Sequence, residues 1–391
     1  MPLSALSREE ELYWLALKLV PGLGTRTSGK LLDRFRGPQA IFRASRTELE
    51  AAGVSGAVAQ SIASGITFED AAAQQDKALE AGAAILTLGD PGYPQVLREI
   101  FDPPVVLFAR GRVELLQSLA VAVVGTRRPT PYGLAVAERL SGDLSHAGLT
   151  IVSGMARGVD TAAHKGALAA GGDTVAVLGC GVDVVYPSEN RKLSADLAVK
   201  GLIVSEFPMG AVAFPQNFPI RNRIISGISL GVLVVEGAQY SGSAITAKLA
   251  MDQGREVFAV PGNITNKLSW GPNLLIKQGA RLVQDWNDVV SELPAESRRH
   301  LIERGRQKIL AEGGGIVGGE PASLLSDPAS ELGGIARRLL AALTVDVAVH
   351  LDDLLERVED TSPSELIAAL FELEMLGLVK QLPGKNFVKV W

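Results

Sequence analysis

Residues 119–133, LAVAVVGTRRPTPYG, place an unbroken apolar run, Ala120 to Val124, directly against a polar loop, Gly125-Thr126-Arg127-Arg128-Pro129. A helical stretch, Tyr132 to Ala147, follows. The same order recurs along the chain. Leu149 to Val152 runs into Ser153-Gly154-Met155-Ala156-Arg157-Gly158 and then the helical Val159 to Ala170; Val232 to Val235 leads to Ser241-Gly242-Ser243. Thr174 to Leu178, Leu202 to Val204 and Val257 to Val260 are further runs of the same kind. Strands that are apolar on both faces, with helices between them, predict an α/β fold with a doubly wound parallel sheet. In such a sheet ligands sit at the carboxyl ends of the strands, where all of these loops are expected.

Glycine and serine let a polyanion approach backbone amides closely, and the arginines supply charge. Together the loops predict one elongated phosphate-binding surface. Gly125 and Thr126 do not continue into a dinucleotide fingerprint, because its second and third glycines are missing. The segment Phe218-Pro219-Ile220-Arg221-Asn222-Arg223, preceded by Phe214-Pro215-Gln216-Asn217, sets aromatics beside guanidiniums and amides. That combination suits an unpaired strand, whose bases stack on a ring while its phosphates meet arginines. The competing reading is a core Phe, with the arginines pairing Glu206 or Glu236. Ser241, Gly242 and Ser243 open a helix carrying Lys248 and read as a phosphate seat.

Catalytic signals are sparse. Glu236 is one carboxylate at a strand end, without a nucleophile–histidine pair or a metal constellation beside it. Asp160 reads as an N-cap, and His164 as a structural histidine bonding Asp160 or a loop carbonyl. Gly179-Cys180-Gly181 and Tyr186-Pro187-Ser188-Glu189-Asn190 read as turn and capping segments. Four scattered histidines and one cysteine suggest no metal and exclude an internal disulfide framework. No cofactor is expected. The apolar runs are too short to span a bilayer, and no secretory signal is visible in MPLSALSREEELYW, so a cytoplasmic protein is expected.

The chain of 391 residues should divide into several domains. Residues 1–75 read as short helices. Glu11 to Val20, Pro21-Gly22-Leu23-Gly24 and Thr27 to Phe35 look like a helix-hairpin-helix element, with a weaker copy at Leu49 to Ile62; a plain packing domain is the equal alternative. GTRTSGK at Gly24 to Lys30 matches a nucleotide-binding loop in letters only. Leu31 stands where Ser or Thr must hold magnesium, and a helix precedes it instead of a strand. Residues 80–292 form the α/β domain, 293–334 read as a flexible Gly/Pro/Ser-rich linker, and 335–391 look like a winged helix. Net charge is −5 overall. Between 120 and 290 there are 15 Lys/Arg against 13 Asp/Glu, and between 333 and 391 there are 6 against 9. A polyanion should therefore prefer the middle.

VVGTRRPTPYG, SGMARGVDTAAHKGAL, GCGVDVVYPSEN, FPIRNRIISG, VVEGAQYSGSAITA and VFAVPGN, in this order, resemble the DNA processing protein A family (DprA, also called Smf). The resemblance covers the whole chain and is strongest from 119 to 280. It implies an extended Rossmann-like domain that binds single-stranded DNA, forms a homodimer and loads the RecA recombinase during natural transformation, without being an enzyme. It also implies a sterile-alpha-motif-like amino-terminal domain. Carried onto this sequence, the DNA-contacting candidates are Arg127 and Arg128; Lys165; Asn217, Phe218, Arg221 and Asn222; and Ser241, Gly242 and Ser243. The reading of the loops adds Gly125, Thr126, Ser153, Gly154, Arg157 and Arg223. A small-nucleotide enzyme using Glu236, as in Rossmann-like phosphoribohydrolases, and a non-catalytic nucleotide sensor are the alternatives. The tail resembles the winged-helix domain of some members. Its expected recognition helix, Ser364 to Leu376, carries Glu365, Glu372 and Glu374 and no Lys or Arg. Acidic side chains repel phosphates, so this helix is expected to pack Leu366, Leu370, Phe371 and Leu373 inward, and the tail to contact protein.

Overall fold

A computed structural model of the chain describes residues 6–301 and, in the tail, 334–343, 349–358, 361–362, 365–367, 369–370, 373, 378–382 and 386–389. The chain divides into two compact units, Met1–Gly313 and Gly314–Trp391. Most of the linker expected at 293–334 lies outside the described residues. Its first part, 295–301, is helical and buries Leu301.

Nine strands form the sheet of the first unit: β1 (Ala84–Thr87), β2 (Val106–Gly111), β3 (Ala120–Val124), β4 (Thr150–Ser153), β5 (Thr174–Val177), β6 (Leu202–Ser205), β7 (Gly231–Val234), β8 (Glu256–Ala259) and β9 (Arg281–Leu282). Their order is β1-β2-β6-β5-β4-β3-β7-β8-β9. From β6 across to β9 every pairing is parallel, whereas β1 pairs β2 and β2 pairs β6 in antiparallel fashion. All residues of β3, β4, β5, β6 and β7 are buried. That is why they read as continuous apolar runs, since helices cover both faces. The chain runs outward from β3 through β4 and β5 to β6, then returns to β7 on the other side of β3. The β3/β7 boundary is therefore the topological switch point.

Six helices precede the sheet, from Arg8–Leu19 to Phe68–Glu80. Arg8–Leu19 begins with a capping box in which Ser7 and Glu10 satisfy each other's amides. The turn Val20 to Gly24 then leads into Thr25–Phe35, and a second turn joins Arg46–Ala51 to Gly56–Ser64. The two hairpin patterns in the sequence are thus two helix–turn–helix pairs. Their apolar residues Leu15, Leu17, Leu31 and Ile62, with Ile41 of the helix Pro38–Arg43, share one core with Val106, Phe108 and Ile203 of the sheet and Leu197 of the helix Arg191–Lys200. Gln74 fixes this contact: its amide oxygen accepts from the Met209 N–H at 2.7 Å.

In the tail, β10 (Val349–His350), β11 (Val379–Leu382) and β12 (Asn386–Lys389) form an antiparallel sheet in the order β10-β12-β11. It accompanies helices Gly334–Ala342 and Leu351–Arg357 in a winged-helix fold. Leu366, Leu370 and Leu373 are buried in this unit's own core, as expected. Phe371 and the ribbon turn at 383–385 lie outside the described residues.

Candidate nucleic-acid interface

At the switch point the loops are fastened to one another through backbone and carboxylate. The Thr126 N–H donates to the Glu236 carbonyl at 2.7 Å, and the Val159 N–H donates to the Thr126 carbonyl at 3.2 Å. Gly158 makes this junction possible. Its φ of 78° lies in the left-handed region, and a side chain there would strike the Thr126 carbonyl. The Glu236 carboxylate is buried and holds the neighbouring loop: it accepts from the Thr130 N–H at 2.9 Å and the Thr130 hydroxyl at 2.6 Å. A carboxylate spent in this way shapes the loop and is poorly placed for acid/base chemistry.

The segment FPIRNR is not a loop. Asn217–Gly227 is a helix, and Pro219 does not prevent this because it lies in the first turn, where N–H groups have no intrahelical partner. The helical spacing then sorts the side chains. Phe218 is half-buried and its ring lies at the surface. The Arg127 guanidinium stands 5.2 Å from the Phe218 ring centroid, and the Tyr186 ring lies 5.5 Å away at an interplanar angle of 31°. Tyr186 is 41% exposed. Sequence reading treats Tyr186 as part of a turn; an aromatic just beyond a strand's carboxyl end is the signal that marks it. Asn217 orients the start of the helix by donating to the Gly179 carbonyl at 3.0 Å. A shallow cleft beside the rings is lined by Arg127, Gly154, Arg157, Gly179, Tyr186 and Phe218.

Arg221 lies beneath this surface instead of on it. It is 4% exposed and donates to the Val177 carbonyl at 2.6 Å. Gly154 is required there, because a side chain would run into the Arg221 guanidinium. Burial lowers the Arg221 pKa to about 10, with the Asp160 charge opposing the shift. Arg223 turns away from Phe218 altogether. Five residues on, it is buried with Glu206 at 2.5 Å and Asp102 at 3.3 Å. Pairing with Glu206, the competing reading for these arginines, therefore holds for Arg223. Asn222 is also buried and reaches the Gly242 carbonyl at 3.4 Å, so it braces the two neighbouring loops.

The second loop is likewise directed inward. Ser153 is fully buried, its hydroxyl donating to the Val123 carbonyl at 2.6 Å. The N-cap of Val159–Ala169 is Gly158, not Asp160. The buried Asp160 carboxylate instead accepts from the Gly154 and Ala156 N–H groups at 3.2 and 3.3 Å. The Gly154 amide, expected to face a phosphate, is thus satisfied internally. His164 contacts neither Asp160 nor a loop carbonyl: its Nδ1 lies 2.7 Å from the Thr174 hydroxyl oxygen. Burial lowers its pKa to about 3. Burial also pushes the Cys180 thiol up to about 11, so it is not a thiolate nucleophile at neutral pH.

The outward-facing members are Arg127, Arg128, Arg157, Lys165 and Gly242, with Phe218, Asn217 and Ser241 half-buried. Arg157 is paired with Glu189 at 2.8 Å. Ser241 caps the helix Gly242–Asp252 by accepting from the Ala244 N–H, and Ser243 is buried against the Ser241 hydroxyl at 2.8 Å. The structure therefore brings Arg127 and Phe218 together at the surface, and keeps Ser153, Arg221, Asn222, Arg223 and Ser243 inside. Among the described residues no three His, Cys, Asp or Glu side chains converge as a metal site, and no helix is long and apolar enough to cross a membrane.

Comparison with known proteins adds a family context. The family model described as DNA recombination-mediator protein A matches residues 84–294, and that described as DprA winged helix domain matches residues 323–385. The chain is 33% identical over 403 residues to Protein Smf of Synechocystis sp., covering 98% of this chain and 99% of that one. It is 46% identical over 203 residues to DNA processing protein DprA of Streptococcus pneumoniae, covering 52% and 72% of the two chains. The X-ray structure of the S. pneumoniae protein superposes with a TM-score of 0.65 at 36% identity, covering 74% of this chain and 99% of that one.

Proposed function

The chain belongs to the DNA recombination-mediator protein A family, and from that premise we propose that it binds single-stranded DNA along the carboxyl edge of the sheet and acts as a non-enzymatic, cytoplasmic recombination mediator. In this reading it works as a homodimer and loads RecA during natural transformation. One observation carries the binding surface: a half-buried Phe218 ring with the Arg127 guanidinium on one side and the Tyr186 ring on another. A base stacks on such a platform at any sequence, while the exposed cations meet the backbone. A duplex keeps its bases stacked on each other and cannot use the ring. In this reading the exposed Arg128 and Lys165 and the Ser241–Gly242 helix start supply sequence-independent phosphate contacts.

The buried arginines serve this surface indirectly. Arg221 and Asn222 hold the helix start that presents Phe218, so binding depends on them through position. The winged-helix tail is read as the protein-contact module, because its expected recognition helix is acidic.

The test is a titration of homopolymer single strands of increasing length, with a duplex control, at two salt concentrations. Micromolar or tighter binding that grows with strand length, weakens steeply with salt and exceeds duplex binding is expected. A mononucleotide bound as tightly as a long strand, or release of free base from a nucleoside monophosphate, would overturn the proposal.

A further inference from the structure

A second guanidinium–aromatic pair stands at the same edge of the sheet. Phe101 is 73% exposed, and the Arg26 guanidinium lies 3.9 Å from its ring centroid. The register places it. β2 is antiparallel to β6, with Phe108 opposite Ser205, so the segment entering β2 lies where the chain leaves β6, at the carboxyl edge.

Phe101 is not a loose side chain on a loose loop. Its neighbour Ile100 is buried in the core that holds Ile224, Ile225 and Ile228 of the helix Asn217–Gly227. On its other side, Asp102 is ion-paired with Arg223 of that same helix at 3.3 Å. The helix that presents Phe218 at its first turn thus anchors Phe101 farther along. The amino-terminal helices are tied to the same network, since Lys18 of the preceding helix lies 3.8 Å from Glu206, the partner of Arg223. Phe101 thus presents an aromatic face to solvent beside an exposed cation.

We propose that Arg26 and Phe101 form a second stacking station for the same polynucleotide, continuing the track from Phe218 onto the amino-terminal helices. The occupant is an unpaired strand: the ring offers a face to a base, and Arg26 with Lys30, one helical turn on, faces its backbone. The first turn of Thr25–Phe35 holds no acidic residue to oppose a phosphate. Asp102, next to the ring in sequence, is engaged by Arg223. The hairpin at Pro21 to Gly24 is then a mount for this pair instead of a duplex grip. This inference rests on the single-strand reading of the Phe218 platform.

Strand length separates the two ideas. Binding of fluorescent oligothymidylates of about 4 and about 16 nucleotides, the two ends of the range one fold occupies, is measured for the full chain and for Phe218→Ala, Phe101→Ala, Arg26→Ala and Phe101→Trp. Phe218→Ala is expected to weaken both lengths. Phe101→Ala and Arg26→Ala are expected to weaken only the longer strand, by about tenfold for the ring, with Phe101→Trp restoring it. If Phe218→Ala weakens binding while Phe101→Ala leaves the longer strand unchanged, the second station is refuted and the platform stands. If Phe218→Ala changes nothing, the platform itself fails. If Arg26→Ala weakens a duplex and not the longer single strand, the hairpin grips duplex and the proposal is wrong.

Discussion

Arg127 and Arg223 lie close to the same short helix and have opposite lives. Arg127 stands in solvent over the Phe218 ring, whereas Arg223 is sealed between Glu206 and Asp102. Both belong to runs in which two cations stand within three residues of each other, Arg127-Arg128 and Arg221-Asn222-Arg223. Environment, not residue type, divides them. An exposed guanidinium is available to a phosphate and contributes little to stability. A buried guanidinium is committed to its partners, and its loss shows first in folding. The carboxyl edge is therefore two layers, an outer one that meets ligand and an inner one that holds the outer in place.

The largest effect should come from the inner layer. Glu206→Gln removes the closest partner of Arg223 and leaves a buried guanidinium with Asp102 alone. Breaking a buried pair on one side costs about 3–5 kcal/mol. Urea unfolding should register a loss of that order, with strand affinity little changed where the variant is still folded. A loss below about 1 kcal/mol, as for an exposed pair, would break the distinction.

His164 gives the inner layer a pH signature. Thr174 donates its hydroxyl hydrogen to the Ile151 carbonyl at 2.7 Å, so the ring nitrogen facing Thr174 must carry a proton, and burial disfavours a second one on the other nitrogen. Its folded pKa, about 3, lies below the ordinary 6.5. Above 6.5 both folded and unfolded states hold a neutral ring. Below it the unfolded state takes up a proton that the folded state refuses, so stability falls as pH drops toward 3. Between pH 7 and 5 this single site should cost about 2 kcal/mol. The measurement is urea unfolding at the two values. His164→Gln should remove that part of the dependence, and an unchanged slope would show that His164 is not held neutral.

The outer layer comes next. Phe218→Ala should weaken single-strand binding by roughly tenfold or more, corresponding to about 1–3 kcal/mol per stacked base. Arg127→Ala should have a smaller effect of the same kind, and both variants should unfold near the parent midpoint. Equal losses for duplex and single strand would remove the stacking argument and leave only charge.

What the sequence disclosed follows from what each residue pattern can encode. The parallel sheet was legible because β3 to β7 are buried on both faces and so are uninterrupted apolar runs. The antiparallel β1–β2 pair was not. β1 precedes the repeated strand–helix units, and nothing in its pattern states which neighbour it will join or in which direction. Arg127 and Phe218 were legible as a site because guanidinium and ring chemistry is local. The burial of Arg221 and Arg223 was hidden by Pro219, which suggests a loop yet is tolerated in a first helical turn. Once the segment is helical, the rotation between residues 218 and 223 decides which cation faces outward. Asp160 and Gly154 were misplaced for a related reason. A carboxylate two residues into a helix can fold back onto loop amides, and only the tertiary course of the loop shows that it does.

The smallest effect is the one that maps the outer layer most finely. Arg128, in the first loop, and Lys165, within the helix Val159–Ala169, are both exposed, and neither is tied into the interior as Arg221 and Arg223 are. If each neutralises one phosphate, its removal releases one fewer counterion on binding, and the slope of log affinity against log salt should fall by about 0.7 for a single strand. Affinity at physiological salt would change only modestly, and equally for every homopolymer, because a phosphate contact carries no base information. Arg128→Ala and Lys165→Ala, titrated at four salt concentrations, should therefore each flatten the line without altering base preference. Arg223→Ala should leave the slope unchanged in whatever fraction remains folded, since a cation already paired inside the protein has no phosphate to neutralise. A flattened slope for Arg223→Ala would mean that the inner layer opens to the strand, and the division between the two layers would have to be redrawn.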